Sequence, residues 1–277
     1  MEKKTIIITG ASDGIGKAAA KELKKQGHNV VIVGRGKEKT QKVAKELGVL
    51  YHTVDYSSLK DVVRLSNELK NYDRIDVLCN NAGGVQSDRT ETKDGFEKTF
   101  QINVLGGFLL TRLLLSKLCE SRATVIQTSS IAANLFGADF NVNDLQNEKD
   151  YSPFKAYGYA KLGDILFTRE LNSRYKNNGI NAVAFEPGVV RTNFASEGKG
   201  LVKFCYHSPL KYLFTISPKR SAKRMVRLAT GIADKDFTAG ETYSKSKPME
   251  LKFQDENGEI AEKFWDECEK LTDKFVK

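Results

Sequence analysis

Thr5-Ile6-Ile7-Ile8-Thr9 is a β-branched run with no polar alternation, followed at once by Gly10-Ala11-Ser12-Asp13-Gly14-Ile15-Gly16 and then by the helix-forming stretch Lys17 to Gln26. A strand with no polar face is covered on both sides, as in a parallel sheet flanked by helices. A glycine-rich turn feeding a helix N-terminus makes an anion site. Backbone amides converge there, the helix dipole adds positive potential, and missing side chains let a phosphate approach. This stretch alone predicts a sheet packed between helices, with a nucleotide pyrophosphate at the end of its first strand.

The alternation then repeats. Val30 to Val33 reads as a second strand, Lys37 to Leu47 as a helix, Leu50 to Val54 as a third strand and Leu59 to Leu69 as another helix. Asp76 to Cys79 is a fourth strand running into Asn80-Asn81-Ala82-Gly83, and a long helical region covers Asp94 to Leu118. Ala123 to Gln127 is a fifth strand ending at Thr128-Ser129-Ser130, and Asn181 to Phe185 a sixth ending at Glu186-Pro187-Gly188. The expected class is α/β: a single-domain, Rossmann-like, doubly wound parallel β-sheet with helices on both faces, spanning 1–277. In such sheets ligands bind beyond the carboxyl ends of the strands, where every motif named here falls.

Composition narrows the function. The chain is 40% apolar and 29% charged, and Lys plus Arg exceed Asp plus Glu by 44 to 35, for a net charge of +9. The lysines are scattered rather than gathered in a tract, so solvated helix faces account for them and no nucleic-acid partner is expected. Cys79, Cys119, Cys205 and Cys268 form no Cys-x-x-Cys pair, and with only His28, His52 and His207 besides, no metal site is expected. A reduced, cytoplasmic protein is expected, without a secretory leader or a transmembrane segment. The stretch Val104 to Leu115 is interrupted by Thr111 and Arg112.

Four tyrosines stand four residues before a lysine: Tyr56 with Lys60, Tyr151 with Lys155, Tyr157 with Lys161, and Tyr243 with Lys247. On a helix such a pair shares one face, and a neighbouring cation favours the phenolate, so the tyrosine can pass a proton near neutral pH. Tyr56 follows a strand end, Tyr151 precedes the helix-restricting Pro153, and Tyr243 lies in a polar stretch ending at Pro248. Only Tyr157 opens a long amphipathic pattern, through Ile165, Leu166 and Leu171 to a stop at Gly179.

In this order the motifs resemble those of the short-chain dehydrogenase/reductase family, over nearly the whole chain. They are Thr9-Gly10-x-x-x-Gly14-x-Gly16, Asn80-Asn81-Ala82-Gly83, Asn103, a serine after the fifth strand, Tyr157-x-x-x-Lys161 and Pro187-Gly188. Asp144-Leu145-Gln146, Lys161-Leu162, Leu166 to Leu171 and Pro187 to Thr192 resemble the retinol dehydrogenase branch. The resemblance implies an oxidoreductase that interconverts a carbonyl and an alcohol, with Asn103, Ser130, Tyr157 and Lys161 as the catalytic set. Tyr157 would be the general acid/base, Lys161 would lower its pKa and hold the nicotinamide ribose, and Ser130 would hydrogen-bond the reacting oxygen. Asn103 would help hold the site and a relay water.

The resemblance also implies the cofactor residues. Gly10, Ser12, Asp13, Gly14, Ile15 and Gly16 would cradle the pyrophosphate, Asp55 and Tyr56 flank the adenine, and Asn81, Ala82 and Gly83 meet its ribose. Pro187, Gly188, Val190 and Thr192 would hold the carboxamide side. At the end of the second strand Gly34 stands where an acidic residue would bond both ribose hydroxyls, with Arg35 beside it. A guanidinium suits a 2'-phosphate, so NADP(H) is favoured over NAD(H).

Leu201, Val202, Phe204, Tyr206, Leu210, Tyr212, Leu213 and Phe214 lie where the family has its substrate lid, about 193–217, and predict a lipophilic small-molecule substrate. The interval from Ser130 to Tyr157 is longer than is usual in the family, and the anchor common among retinol-active relatives is not seen. A C-terminal helix is expected over about 258–276, from Phe264, Trp265, Cys268, Leu271 and Phe275. Relatives form homodimers or homotetramers, so either is admissible. The competing functional class is a catalytically silent NADP(H)-binding sensor, against which the joint presence of the four catalytic-type residues argues.

Overall fold

The structure is a computed structural model and describes residues 2–190, 216–255 and 257–276. Its centre is an eight-stranded sheet of order β3-β2-β1-β4-β5-β6-β7-β8. The strands are β1 (Thr5–Thr9), β2 (Asn29–Gly34), β3 (Leu50–Thr53), β4 (Val77–Asn80), β5 (Thr124–Thr128), β6 (Asn181–Glu186), β7 (Thr242–Ser244) and β8 (Lys247–Pro248). All pair in parallel except β8, which turns back antiparallel along β7. After β3 the chain crosses over to β4 on the far side of β1, and the functional cleft opens at that switch point.

The helices are α1 (Gly14–Lys25), α2 (Lys37–Leu47), α3 (Leu59–Leu69), α4 (Lys98–Phe100), α5 (Gly106–Leu113), α6 (Leu115–Glu120), α7 (Ala132–Phe136), α8 (Pro153–Tyr175), α9 (Pro218–Thr230) and α10 (Glu259–Thr272). Between α4 and α5 the backbone passes through a π-turn, Gln101–Leu105. Strand residues divide strictly between the two faces. Ile7, Leu78, Val125 and Ala182 join a core with α3, α5, α8 and α10, whereas Ile6, Ile8, Ile32, Val77, Ile126 and Val183 join a second core with α1, α2 and α9. Apolar residues on both faces of each strand are the reason the strands read as unbroken hydrophobic runs.

The expected helices α2 and α3 and strands β1 to β6 are present, the strand bounds differing by a residue or so. Several features depart from the sequence reading: the helical region expected over Asp94 to Leu118 begins only at Lys98 and is divided into α4, the π-turn, α5 and α6. The long interval from Ser130 to Tyr157 contains α7 and the start of α8, and Tyr243, read as part of a polar stretch, lies in β7 beside β6. Helix α9 is also additional. Its start was signalled by Ser217, whose hydroxyl caps the Arg220 amide, and by Pro218 in its first turn. Of the expected lid, 193–215 lies outside the described residues, as do Thr192, Cys205 and His207. The C-terminal helix is α10, followed by a 3-10 turn Asp273–Phe275. Among the described residues no helix is long and apolar enough to cross a membrane, and no cluster of metal-ligand side chains occurs.

Candidate active site

A cleft of about 620 Å³ runs along the carboxyl ends of β1, β2, β4, β5 and β6. The β1–α1 turn forms part of its wall. Gly10 has φ +65°, and a Cβ there would lie 2.8 Å from the Cα of Ala82, so the turn and the β4 loop touch backbone to backbone. Thr9 fastens them together: its Oγ1 accepts from the amides of Asn81 and Ala82 at 2.9 and 3.0 Å, and the Asn81 side chain donates to its carbonyl at 2.9 Å. Ser12, Gly14 and Ile15 line the cleft, while Gly16 lies behind it, packed on Gly10 and Asn81. Asp13 caps α1 by accepting from the Gly14 amide at 2.7 Å, and its other oxygen pairs with Lys39 at 2.7 Å.

At the end of β2, Arg35 and Lys39 line the same pocket from exposed positions. A Cβ on Gly34 would stand 2.3 Å from the Thr40 hydroxyl and 2.9 Å from the Ser12 Cβ. A side chain there would force Thr40 or Ser12 to shift; Gly34 brings none, and Arg35 and the Asp13-paired Lys39 border the space. Asp55 lines the cleft with its carboxylate tied to the amide and hydroxyl of Ser57 at 3.0 and 2.8 Å. Tyr56 borders the cleft too, but its ring is buried against Gly106 and burial drives its phenol upward. Its ring belongs to the core, while the residue still lines the cleft beside Asp55.

Asn81, Ala82 and Gly83 line the middle of the cleft. Asn103, in the π-turn, is not on the cleft surface. Its amide nitrogen donates to the carbonyls of Gly84 and Thr99, both at 2.8 Å, and its oxygen accepts from the Gly84 amide at 3.1 Å. The side chain braces the loop that forms the wall, in keeping with the expectation that Asn103 helps hold the site.

Helix α8 carries the other side. Ser152 caps it by accepting from the Lys155 amide at 3.1 Å, and Pro153 fixes its first turn. Tyr157 is half-buried on the cleft wall, and the Lys161 ammonium stands 5.7 Å from the centre of its ring. Lys161 itself donates to the Thr128 carbonyl at 3.0 Å and to Asp164 at 2.8 Å. Of the two serines after β5, Ser129 is buried and donates to the Lys161 carbonyl at 2.7 Å. Ser130 lines the cleft, half-buried, and its oxygen accepts from the Ala132 amide at 3.2 Å.

After β6, Pro187, Gly188 and Val190 close the cleft. This turn is pinned from below by the buried Glu186, which accepts from the Gly188 amide and pairs with Arg224 at 2.9 Å, and by Ser221, which donates to the Pro187 carbonyl at 2.8 Å. The remaining wall is apolar, with Ile131, Leu135, Phe136, Phe154 and Val189. Phe136 and Phe154 stack at 5.6 Å.

The sequence profile of the short chain dehydrogenases matches residues 4–199. The chain belongs to that family. This short-chain dehydrogenase is 35% identical to human retinol dehydrogenase 13 over 97% of its own length and 84% of that protein's. It is 36% identical, over 95% of its length and 90% of the relative's, to a Streptomyces sp. (strain C5) protein named as a daunorubicin C-13 ketoreductase, DnrU. Among solved structures, an uncharacterized protein of Mycobacterium paratuberculosis superposes with a TM-score of 0.76 at 27% identity, over 98% of this chain and 93% of that one. The enzyme is thus an NAD(P)-dependent oxidoreductase of the short-chain type, acting on CH–OH groups of small molecules.

Sequence reasoning missed Thr9 as the clasp between two loops, Lys39 as the second cation at the β2 end, and Asp164 beside Lys161. Only Asp164 carried a local signal, an acid three residues after a base on an otherwise apolar helix face.

Proposed function

We propose that this short-chain dehydrogenase interconverts a lipophilic aldehyde or ketone and its alcohol with NADP(H), Tyr157 serving as general acid/base. The observation that carries the reading is one continuous cleft with Arg35 and Lys39 at one end, the glycine turn in the middle and Tyr157, Lys161 and Ser130 at the other. Its residues fit the cofactor. With no side chain on Gly34, Arg35 and Lys39 would hold a 2'-phosphate, and the glycine turn at Gly10 and Gly14 would take the pyrophosphate. When bound, the nicotinamide supplies or accepts the hydride.

The protein's own part is proton handling and orientation. In reduction the Tyr157 hydroxyl gives its proton to the carbonyl oxygen while the Ser130 hydroxyl hydrogen-bonds the same atom. The Lys161 ammonium, behind the ring, stabilises the phenolate left behind; alcohol oxidation runs the same steps in reverse. Leu135, Phe136, Phe154 and Val189 offer the substrate an apolar rim, and partly exposed apolar side chains at a cleft mouth are a site for apolar ligand surface. The relatives named for retinol and for the daunorubicin ketone support the same substrate class.

The test is oxidation of NADPH, against NADH, with aldehydes and ketones of increasing chain length, wild type beside Tyr157→Phe. The expected result is turnover that favours NADPH and longer apolar substrates, with kcat falling about 10²- to 10⁴-fold in Tyr157→Phe. Equal NADPH binding by both proteins with no oxidation by either makes the silent sensor the better account.

A further inference from the structure

Lys161 does not face Tyr157 alone. Its ammonium has three protons to donate, and two are committed to protein acceptors, the Thr128 carbonyl at 3.0 Å and Oδ2 of Asp164 at 2.8 Å. The ion pair is sealed: each side chain is about 5% exposed. Positions 161 and 164 share one face of α8, three residues apart.

A carboxylate is a costly choice for this place. Burying it demands full desolvation, and a neutral acceptor such as an amide would satisfy the same ammonium proton. Packing needs alone therefore do not account for its charge. The charge acts on what Lys161 does: seen from the phenol, a lone ammonium is a full positive charge, whereas an ammonium backed by a carboxylate is a dipole with its positive end forward.

We propose that Asp164 is a positioning residue of the proton-transfer pair, which fixes the Lys161 ammonium behind Tyr157 and weakens its pull on the phenol, so that Tyr157 stays protonated and ready for carbonyl reduction. The inference rests on the reading of Tyr157 and Lys161 as the acid/base pair. Among the described residues Lys161 is the charged side chain that acts on Asp164, and Tyr157 is the titratable group beyond it. Burial raises the Asp164 carboxyl to about 6 against the pull of Lys161, which leaves it ionised at neutral pH.

The experiment is a spectroscopic phenolate titration of the whole protein, in which the difference between matched proteins with Tyr157 and with Tyr157→Phe isolates the one phenol. It is run with Asp164 intact, with Asp164→Asn and with Asp164→Glu. D164N keeps an acceptor for the ammonium and removes the charge, so the Tyr157 midpoint should fall by about one pH unit. D164E retains the charge and should hold the original midpoint. Equal midpoints with and without D164N overturn the proposal; if D164N does not fold, Asp164→Ser, smaller and still able to accept, takes its place under the same criterion. NADPH oxidation measured in parallel separates the two ideas. A wild type inert toward every carbonyl overturns the functional reading, while the titration judges Asp164 without any substrate.

Discussion

Asp13 sets a carboxylate at the mouth of a site read as phosphate-binding, and the structure shows how the chain accommodates it. One oxygen caps α1 and the other is matched by Lys39. Asp13→Asn retains an oxygen for the cap while removing the charge and freeing Lys39, so KM for NADPH should drop about two- to five-fold in steady-state assays, as suits an exposed ion pair. Asp164 yields a prediction about stability. Its carboxyl is raised from an ordinary 3.8 to about 6, first by burial, with Lys161 opposing. The folded state then holds this proton more tightly than the unfolded chain does, and the contribution is fully present below 3.8 and lost as pH rises through about 6. Urea midpoints measured from pH 7 down to pH 4 should therefore rise for the wild type relative to D164N, the reverse of the usual carboxylate. Such effects were not legible in the sequence. Which acid meets which base depends on side chains brought together by the fold, as when Lys39 reaches Asp13 from a different helix.

At the scale of elements, local chemistry and chain order agreed wherever apolar pattern and punctuation coincided. β1 to β6 and α1 to α3 were readable because β-branched runs alternate with amphipathic stretches, the first two ending in glycine. β7 was not, because its few residues lie among polar ones and it becomes a strand only by pairing with β6. The short α7 escaped for a like reason: its five residues are too few to show a helical period, and packing against α8 holds it. The Tyr151 and Tyr157 alternatives were separated correctly by Pro153, since α8 begins there and leaves Tyr151 outside. Ser152→Ala removes the cap from this helix and should cost about 1 kcal/mol in a denaturant titration, with little change in substrate KM because the helix body stays packed.

The whole molecule sets two cores back to back across one sheet. The core of α1, α2 and α9 backs the glycine turn and the cations, and the core of α3, α5, α8 and α10 backs Tyr157 and Lys161. The second closes on Trp265 of α10, fully buried, with ring centres 4.9 Å from Phe108 of α5 and 5.7 Å from Phe167 of α8. Trp265→Ala should cost about 3–5 kcal/mol by chemical denaturation and impair turnover through loss of fold, not through a changed pH profile. Trp265 is also the chain's one tryptophan. The protein thus has a single indole chromophore, sealed behind the site helix and away from the cleft surface, whose emission should be blue-shifted in the native protein and move to the red as α10 undocks. An unchanged emission band in an altered enzyme then says that the scaffold behind α8 is intact and that the defect lies in the cleft itself.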